Sequence, residues 1–267
     1  MTTTATTASD VDRLPAPRRP RWWARRFPWW VETLVAVGFY EIYDGVQAAT
    51  AGDADEALAS GRTVIHAEQH LHLWVEPTLN RFATTHGWIG LFCGYYYELA
   101  HVLVTAAVLG FVWWRRPQIY ARLRNVLLVL SLAALVVFWR YPVAPPRFVD
   151  HRLTDTLVSN DILGAAHVHG GLVNLYAAMP SLHVAWATWC AAAIVLATRS
   201  RWRHLSWLYP MLTAFAVMAT ANHYVLDVLA GAGLTAAAMA VMVAAVRRRA
   251  GQEATGRIRV SPPQQPA

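Results

Sequence analysis

Residues 222–249 read NHYVLDVLAGAGLTAAAMAVMVAAVRRR. Between Val225 and Val246 the sole charged residue is Asp227, and arginines follow at once. A helix needs about 20 residues, mostly apolar, to cross the hydrocarbon core of a bilayer. The stretch therefore predicts a membrane-crossing helix that is basic at one end and carries a lone acid near the other. In water such a helix would be apolar on every side.

Working outward, five further apolar stretches lie at about 30–50, 88–113, 125–142, 181–198 and 206–222, the third and fifth of them short. The expected fold is all-α: an integral membrane six-helix bundle over 30–246. A polar Arg/Pro-rich tail at 1–29 and a polar tail at 247–267 flank it, both expected to be disordered and cytoplasmic. No cleaved signal peptide is expected. The connection at 51–87 holds Leu71, Trp74, Val75, Leu79 and Phe82 at helical spacing, with Glu68, Glu76 and Arg81 between them. That pattern predicts an extra amphipathic helix at about 62–85, lying at the interface.

Composition agrees. The chain has 267 residues, 56% of them apolar and 15% charged. Soluble domains run at roughly 45–50% apolar and 25% charged. All 23 basic side chains are Arg, which excludes a Lys Schiff base and a Walker-type phosphate loop. The formal charge of +7 is membrane topology rather than a nucleic-acid footprint, because most arginines fall in four segments, 1–30, 115–124, 199–203 and 247–259. With six spans these all lie on one side. The positive-inside rule then puts both termini in the cytoplasm of a plasma-membrane protein. Arg62, Arg81, Arg140, Arg147 and Arg152 remain outside. Cys93 and Cys190 sit in apolar runs and read as small buried hydrophobes.

Ionisable groups inside spans need a reason. Glu41 and Asp44, spaced i, i+3, either pack as polar residues or line a head-group cavity. Glu98 and His101, also i, i+3, either pair structurally or line a substrate pocket. His66, His70 and His72, like His167 and His169, have no acidic or Cys partner at ligand spacing. They read as interfacial residues, and no metal or cofactor is expected.

Three pieces carry the chemistry, all expected at the outer ends of helices. In Arg140-Tyr-Pro-Val-Ala-Pro-Pro-Arg147, a stiff Pro-rich segment holds two guanidiniums suited to a phosphate oxyanion. Met179-Pro-Ser-Leu-His183 opens a span, with Ser181 and His183 in a first turn whose free N–H groups favour an anion. In Asn222-His-Tyr-Val-Leu-Asp227, His223 and Asp227 are spaced i, i+4, so the carboxylate orients the imidazole and leaves its other nitrogen as nucleophile or base. Together they suit metal-free phosphoryl transfer. One His attacks phosphorus, another protonates the leaving oxygen, and Arg holds the developing charge.

These pieces resemble the signature motifs of the type-2 phosphatidic acid phosphatase superfamily, which includes vanadium haloperoxidases. Its patterns are K-x6-R-P, P-S-G-H and S-R-x5-H-x3-D. The resemblance covers about 30–246 and implies His223 as the nucleophile, Asp227 as its orienter and His183 as the general acid. It implies Ser181, Arg147 and Arg140 as phosphate ligands, with Arg140 standing where the motif has Lys. Tyr224 is a further candidate pocket residue. Departures are Leu182 for Gly, Phe148 for Pro, Val217 for Arg and Ala216 for Ser. The pattern is similar to the inositol-phosphorylceramide synthase and sphingomyelin synthase branch, whose members transfer a phospho-head-group to another alcohol. The missing Arg suits a singly charged diester. The expected partners are therefore a lipid phosphate or phospholipid substrate, membrane lipids and, for transfer, an alcohol acceptor. The alternative is a non-catalytic six-span transporter or scaffold that binds a lipid head group.

Overall fold

The computed structural model describes residues 29–50, 54–164 and 176–259. Among them ten α-helices follow in order: α1 (Trp29–Thr50), α2 (Ala54–His70), α3 (Glu76–Thr85), α4 (Gly87–Arg115), α5 (Pro117–Arg140), α6 (Pro146–Val149), α7 (Thr156–Ser159), α8 (Leu182–Ala197), α9 (Leu208–Ala219) and α10 (Val225–Arg259). The stretch 1–28 and the pair His167 and His169 lie outside the described residues.

α4, α5 and α10 as far as Arg248 are long and apolar enough to cross a membrane. They mark an integral membrane protein. Six spans were expected, and the other three stretches fall short of that standard among the described residues. α1 has 22 residues but carries Glu32, Glu41 and Asp44. α8 is apolar but has 16 residues. The stretch expected at 206–222 is divided between a tight 3-10 turn at Arg201–Trp207 and the 12-residue α9. It stops there because Ala221 takes a left-handed backbone, φ 56°.

The single helix expected at 62–85 is instead two helices, α2 and α3. His72 turns the chain with φ 57°, and Pro77 lies in the first turn of α3. Proline lacks an N–H and its ring clashes with the preceding turn, so no helix runs through that point. The polarity also differs from expectation. Leu71, Val75 and Phe82 are exposed, whereas Glu68, Glu76 and Asn80 are buried. At the C-terminus α10 continues to Arg259, past the boundary at 246 expected from composition.

α8 is the central helix, packed against α4, α5, α9 and α10. Its alanines at 185, 187, 191 and 193 are fully buried, and their small size lets four neighbours approach. The polar groups it meets are satisfied. Trp189 Nε1 donates to the Leu123 carbonyl at 3.0 Å, and Trp186 Nε1 donates to Ser131 Oγ at 2.9 Å. α1 packs on α5, where Glu32 pairs with Arg124 at 2.6 Å. Cys93 and Cys190 are free and buried.

The bundle has two distinct ends. At one, Arg116 between α4 and α5 donates from Nε to the last carbonyl of α8, Ala197, at 2.8 Å. Arg122, Leu196 and Arg247 line one cavity there. At the other end, the start of α10 meets the start of α8 and the segment after α5. There the Ser181 N–H donates to the Asp227 backbone carbonyl at 3.1 Å. The short segments at Val143 and Ala177 form a parallel bridge.

Candidate active site

The site is built from the turn that ends α9. The N–H groups of Asn222 and His223 fold back onto the Val217 carbonyl at 3.1 and 3.2 Å. Tyr224 then stands just before the first turn of α10. Asp227, the third residue of that helix, reaches back so that Oδ2 accepts the Tyr224 N–H at 3.0 Å. This is the acidic half of a capping box.

The same Asp227 Oδ2 lies 3.3 Å from His223 Nδ1, and the Ala178 carbonyl oxygen lies 2.8 Å from that nitrogen. A carbonyl oxygen only accepts, so Nδ1 carries the proton and Nε2 keeps its lone pair. The Ala178 carbonyl is itself held in place. The Val143 N–H donates to the Tyr176 carbonyl at 2.8 Å, and the Ala178 N–H donates to the Val143 carbonyl at 3.1 Å. The residues after α5 thus aim a backbone acceptor at the imidazole. His223 is 4% exposed and Asp227 fully buried.

Ser181 caps α8, with Oγ accepting the Val184 N–H at 3.4 Å. His183, one residue into the first turn, has its ring centre 5.6 Å from that of His223. Tyr97 of α4 stacks on His183 at 4.2 Å, and His101 meets it at 4.4 Å, nearly edge-on. His101 Nδ1 donates to the Tyr97 carbonyl at 2.9 Å. Three histidines from α4, α8 and the start of α10 therefore form one chain of rings.

Arg147, in the short α6, is anchored three ways. Its N–H donates to the Ala221 carbonyl at 3.3 Å, Nη1 donates to Asn222 Oδ1, and Nε pairs with Asp155 Oδ2 at 2.9 Å. Asn222 is oriented in turn, its amide donating to Thr220 Oγ1 at 2.9 Å. The guanidinium is thereby fixed beside the residue that precedes His223.

Of the residues expected at the site, His223, Asp227, His183, Ser181, Arg147 and His101 come together. Glu98 is half-buried on α4, within the electrostatic reach of Arg147 rather than paired with His101. Arg140 is exposed at the end of α5, its guanidinium over the Trp139 ring at 5.7 Å. Glu41 is exposed on α1, and the Asp44 side chain lies outside the described residues. Tyr224 is fully buried, donating its hydroxyl to the Ala144 carbonyl at 2.8 Å. Sequence reasoning gave no part to Tyr97, Asn222, Asp155, Glu68 or Glu76. Asn222 stood within a quoted motif, yet nothing local marks its partner 75 residues away. Among the described residues, no group of three or more His, Cys, Asp or Glu is arranged to hold a metal ion.

A family model described as the PAP2 superfamily matches residues 62–241. The chain belongs to the PAP2 superfamily. The match takes in all three motif segments, from Arg140 to Asp227. No curated protein and no solved structure matches the chain. PAP2 members are generally metal-independent phosphatases, so membership points to phosphatase-type activity on a phosphate-ester substrate.

Proposed function

We propose that this PAP2 protein is a membrane-embedded lipid phosphoryl-transfer enzyme that works through a phosphohistidine on His223. The observation that carries the reading is the pair of acceptors on His223 Nδ1, the Ala178 carbonyl and the Asp227 carboxylate. They leave Nε2 unprotonated as the nucleophile. Nε2 attacks phosphorus, the bond from phosphorus to the leaving oxygen breaks, and His183 gives that oxygen a proton. In the second step water or an alcohol attacks the phosphohistidine, returns a proton to His183 and frees Nε2. Arg147 and Ser181 hold the equatorial oxygens, and we assign Arg140, whose exposed guanidinium lies over the Trp139 ring, as a further phosphate ligand that must swing to reach them.

The substrate we assign is a phosphodiester, and the product a phospho-head-group passed to an alcohol, as in the inositol-phosphorylceramide synthase-like branch. Two features support this. The third motif's Arg position is Val217, 1% exposed. Among the described residues, Arg147 is the guanidinium anchored beside His223. One fixed cation matches the single charge of a diester better than the nearly double charge of a monoester. For the membrane, we propose six spans with both termini cytoplasmic and the site extracytoplasmic. The gathering of Arg116, Arg122 and Arg247 at the end opposite His223 supports that orientation.

The test uses detergent-purified protein with phosphatidate as monoester and phosphatidylinositol as diester, each with and without an added alcohol. The expected result is diester cleavage with head-group transfer, reduced at least about 10³-fold in His223→Ala. Turnover that survives His223→Ala contradicts the enzymatic reading. Monoester turnover with no diester use contradicts the transferase reading alone.

A further inference from the structure

The first turn of α10 is capped from outside itself. A helix start leaves N–H groups free, and a short polar side chain just before it normally meets them. Here Tyr224 occupies that place, and its hydroxyl is spent on Ala144. The Val225 N–H donates to Glu76 Oε1 at 2.8 Å, and the Leu226 N–H donates to Glu68 Oε1 at 2.7 Å. Both glutamates are 0% exposed. Glu68 comes from the last turn of α2 and Glu76 opens α3, so the break between these helices sets the two carboxyls against each other.

No cation pairs with either acid among the described residues. Glu68 Oε2 and Glu76 Oε2 are buried with no N–H or hydroxyl to serve them. The charged and titratable groups that face the pair are Asp227 on α10 and Tyr224 before it. Arg147 acts on Tyr224 but pairs with Asp155. Two carboxylates in contact away from water do not both ionise, so the proton that satisfies them is their own.

We propose that Glu68 and Glu76 are positioning residues, a proton-sharing carboxyl pair that fixes the first turn of α10 and through it the geometry of His223 and Asp227. The proposal rests on the reading of His223 as nucleophile. Burial, reinforced by the neighbouring acid, pushes Glu68 up to about 8, and burial raises Glu76 as well. Below that pH Glu68 donates to Glu76, and each keeps an oxygen for α10. Above it, two negative charges sit under the turn beside Asp227, and the turn loosens. The interfacial helices therefore set the alkaline limit of the reaction.

Glu68→Gln tests this, because its amide accepts from Leu226 and donates to Glu76 at any pH. With the diester bis(p-nitrophenyl) phosphate and an added alcohol in detergent, wild-type kcat should fall above pH about 8, while Glu68→Gln keeps neutral-pH kcat within about threefold and lacks that limb. Glu68→Ala should lose about tenfold in kcat with KM little changed. An alkaline limb identical in wild type and Glu68→Gln overturns the proposal. Nitrogen NMR of the His223 ring needs no turnover. Its signals should respond at pH about 8 in wild type and not in Glu68→Gln, and a wild-type ring that does not respond overturns the pairing. If wild type turns over no phosphate ester with or without an added alcohol, the enzymatic reading alone fails, and the NMR result still decides the role of the pair.

Discussion

His223 has its tautomer set twice, by a side chain and by a backbone carbonyl, and the two have separable effects. In Asp227→Asn the amide oxygen still accepts the Tyr224 N–H, and the Ala178 carbonyl still holds Nδ1–H. What is lost is the negative charge that stabilises the ring as it becomes cationic. We expect kcat to fall about a hundredfold with KM little changed. A loss as deep as that of His223→Ala would mean that the carbonyl does not hold the tautomer. The spacing of His223 and Asp227 was legible because i, i+4 on a helix is a local fact. The Ala178 acceptor was not, because a carbonyl has no residue type to read. Glu68 and Glu76 were legible only as polar residues between apolar ones, the usual mark of a solvated face. Their burial follows from the unmet N–H groups of a helix elsewhere in the chain.

Between elements, the decisive contact is the crossing of α8 and α10. A Cβ at Gly231 would overlap the Ser181 carbonyl oxygen and lie 3.3 Å from the Ala185 nitrogen. Only a bare backbone brings the cap of α8 this close to α10. Gly231→Ala should therefore cost about 1–3 kcal/mol, seen as a lower Tm. It should lower kcat as well, because His183 moves away from His223. Gly233→Ala on the same helix meets nothing within 4 Å and should leave Tm unchanged or slightly raised. Equal losses in both variants would contradict the role given to the crossing. The helix at 62–85 was legible as amphipathic periodicity. Its division at 71–75 was not, because that periodicity runs unbroken across the turn at His72, and only Pro77 hints at a new start.

For the whole molecule, the pattern of apolar stretches and arginines carried the most information. Each of the six stretches contributes helix to the described structure, at α1, α4, α5, α8, α9 and α10. Apolar length did not distinguish a helix facing lipid from one enclosed by other helices. α4, α5, α9 and α10 surround α8, so most of its apolar side chains face protein, with Leu196 near its end exposed. Loss of stability with rising pH is expected at this scale too. Glu68 releases its proton near 4.5 when unfolded but only at about 8 when folded. The folded state thus binds the extra proton between those values, and stability declines across that window and levels off above it. The central claim, however, is a covalent bond at one atom. It is tested by pulsing the purified protein with a radiolabelled phosphate ester, quenching in alkali and mapping the labelled peptide. The account predicts phosphate on the His223 ring, absent in His223→Ala. Label on Ser181, or turnover with no label on His223, would contradict it.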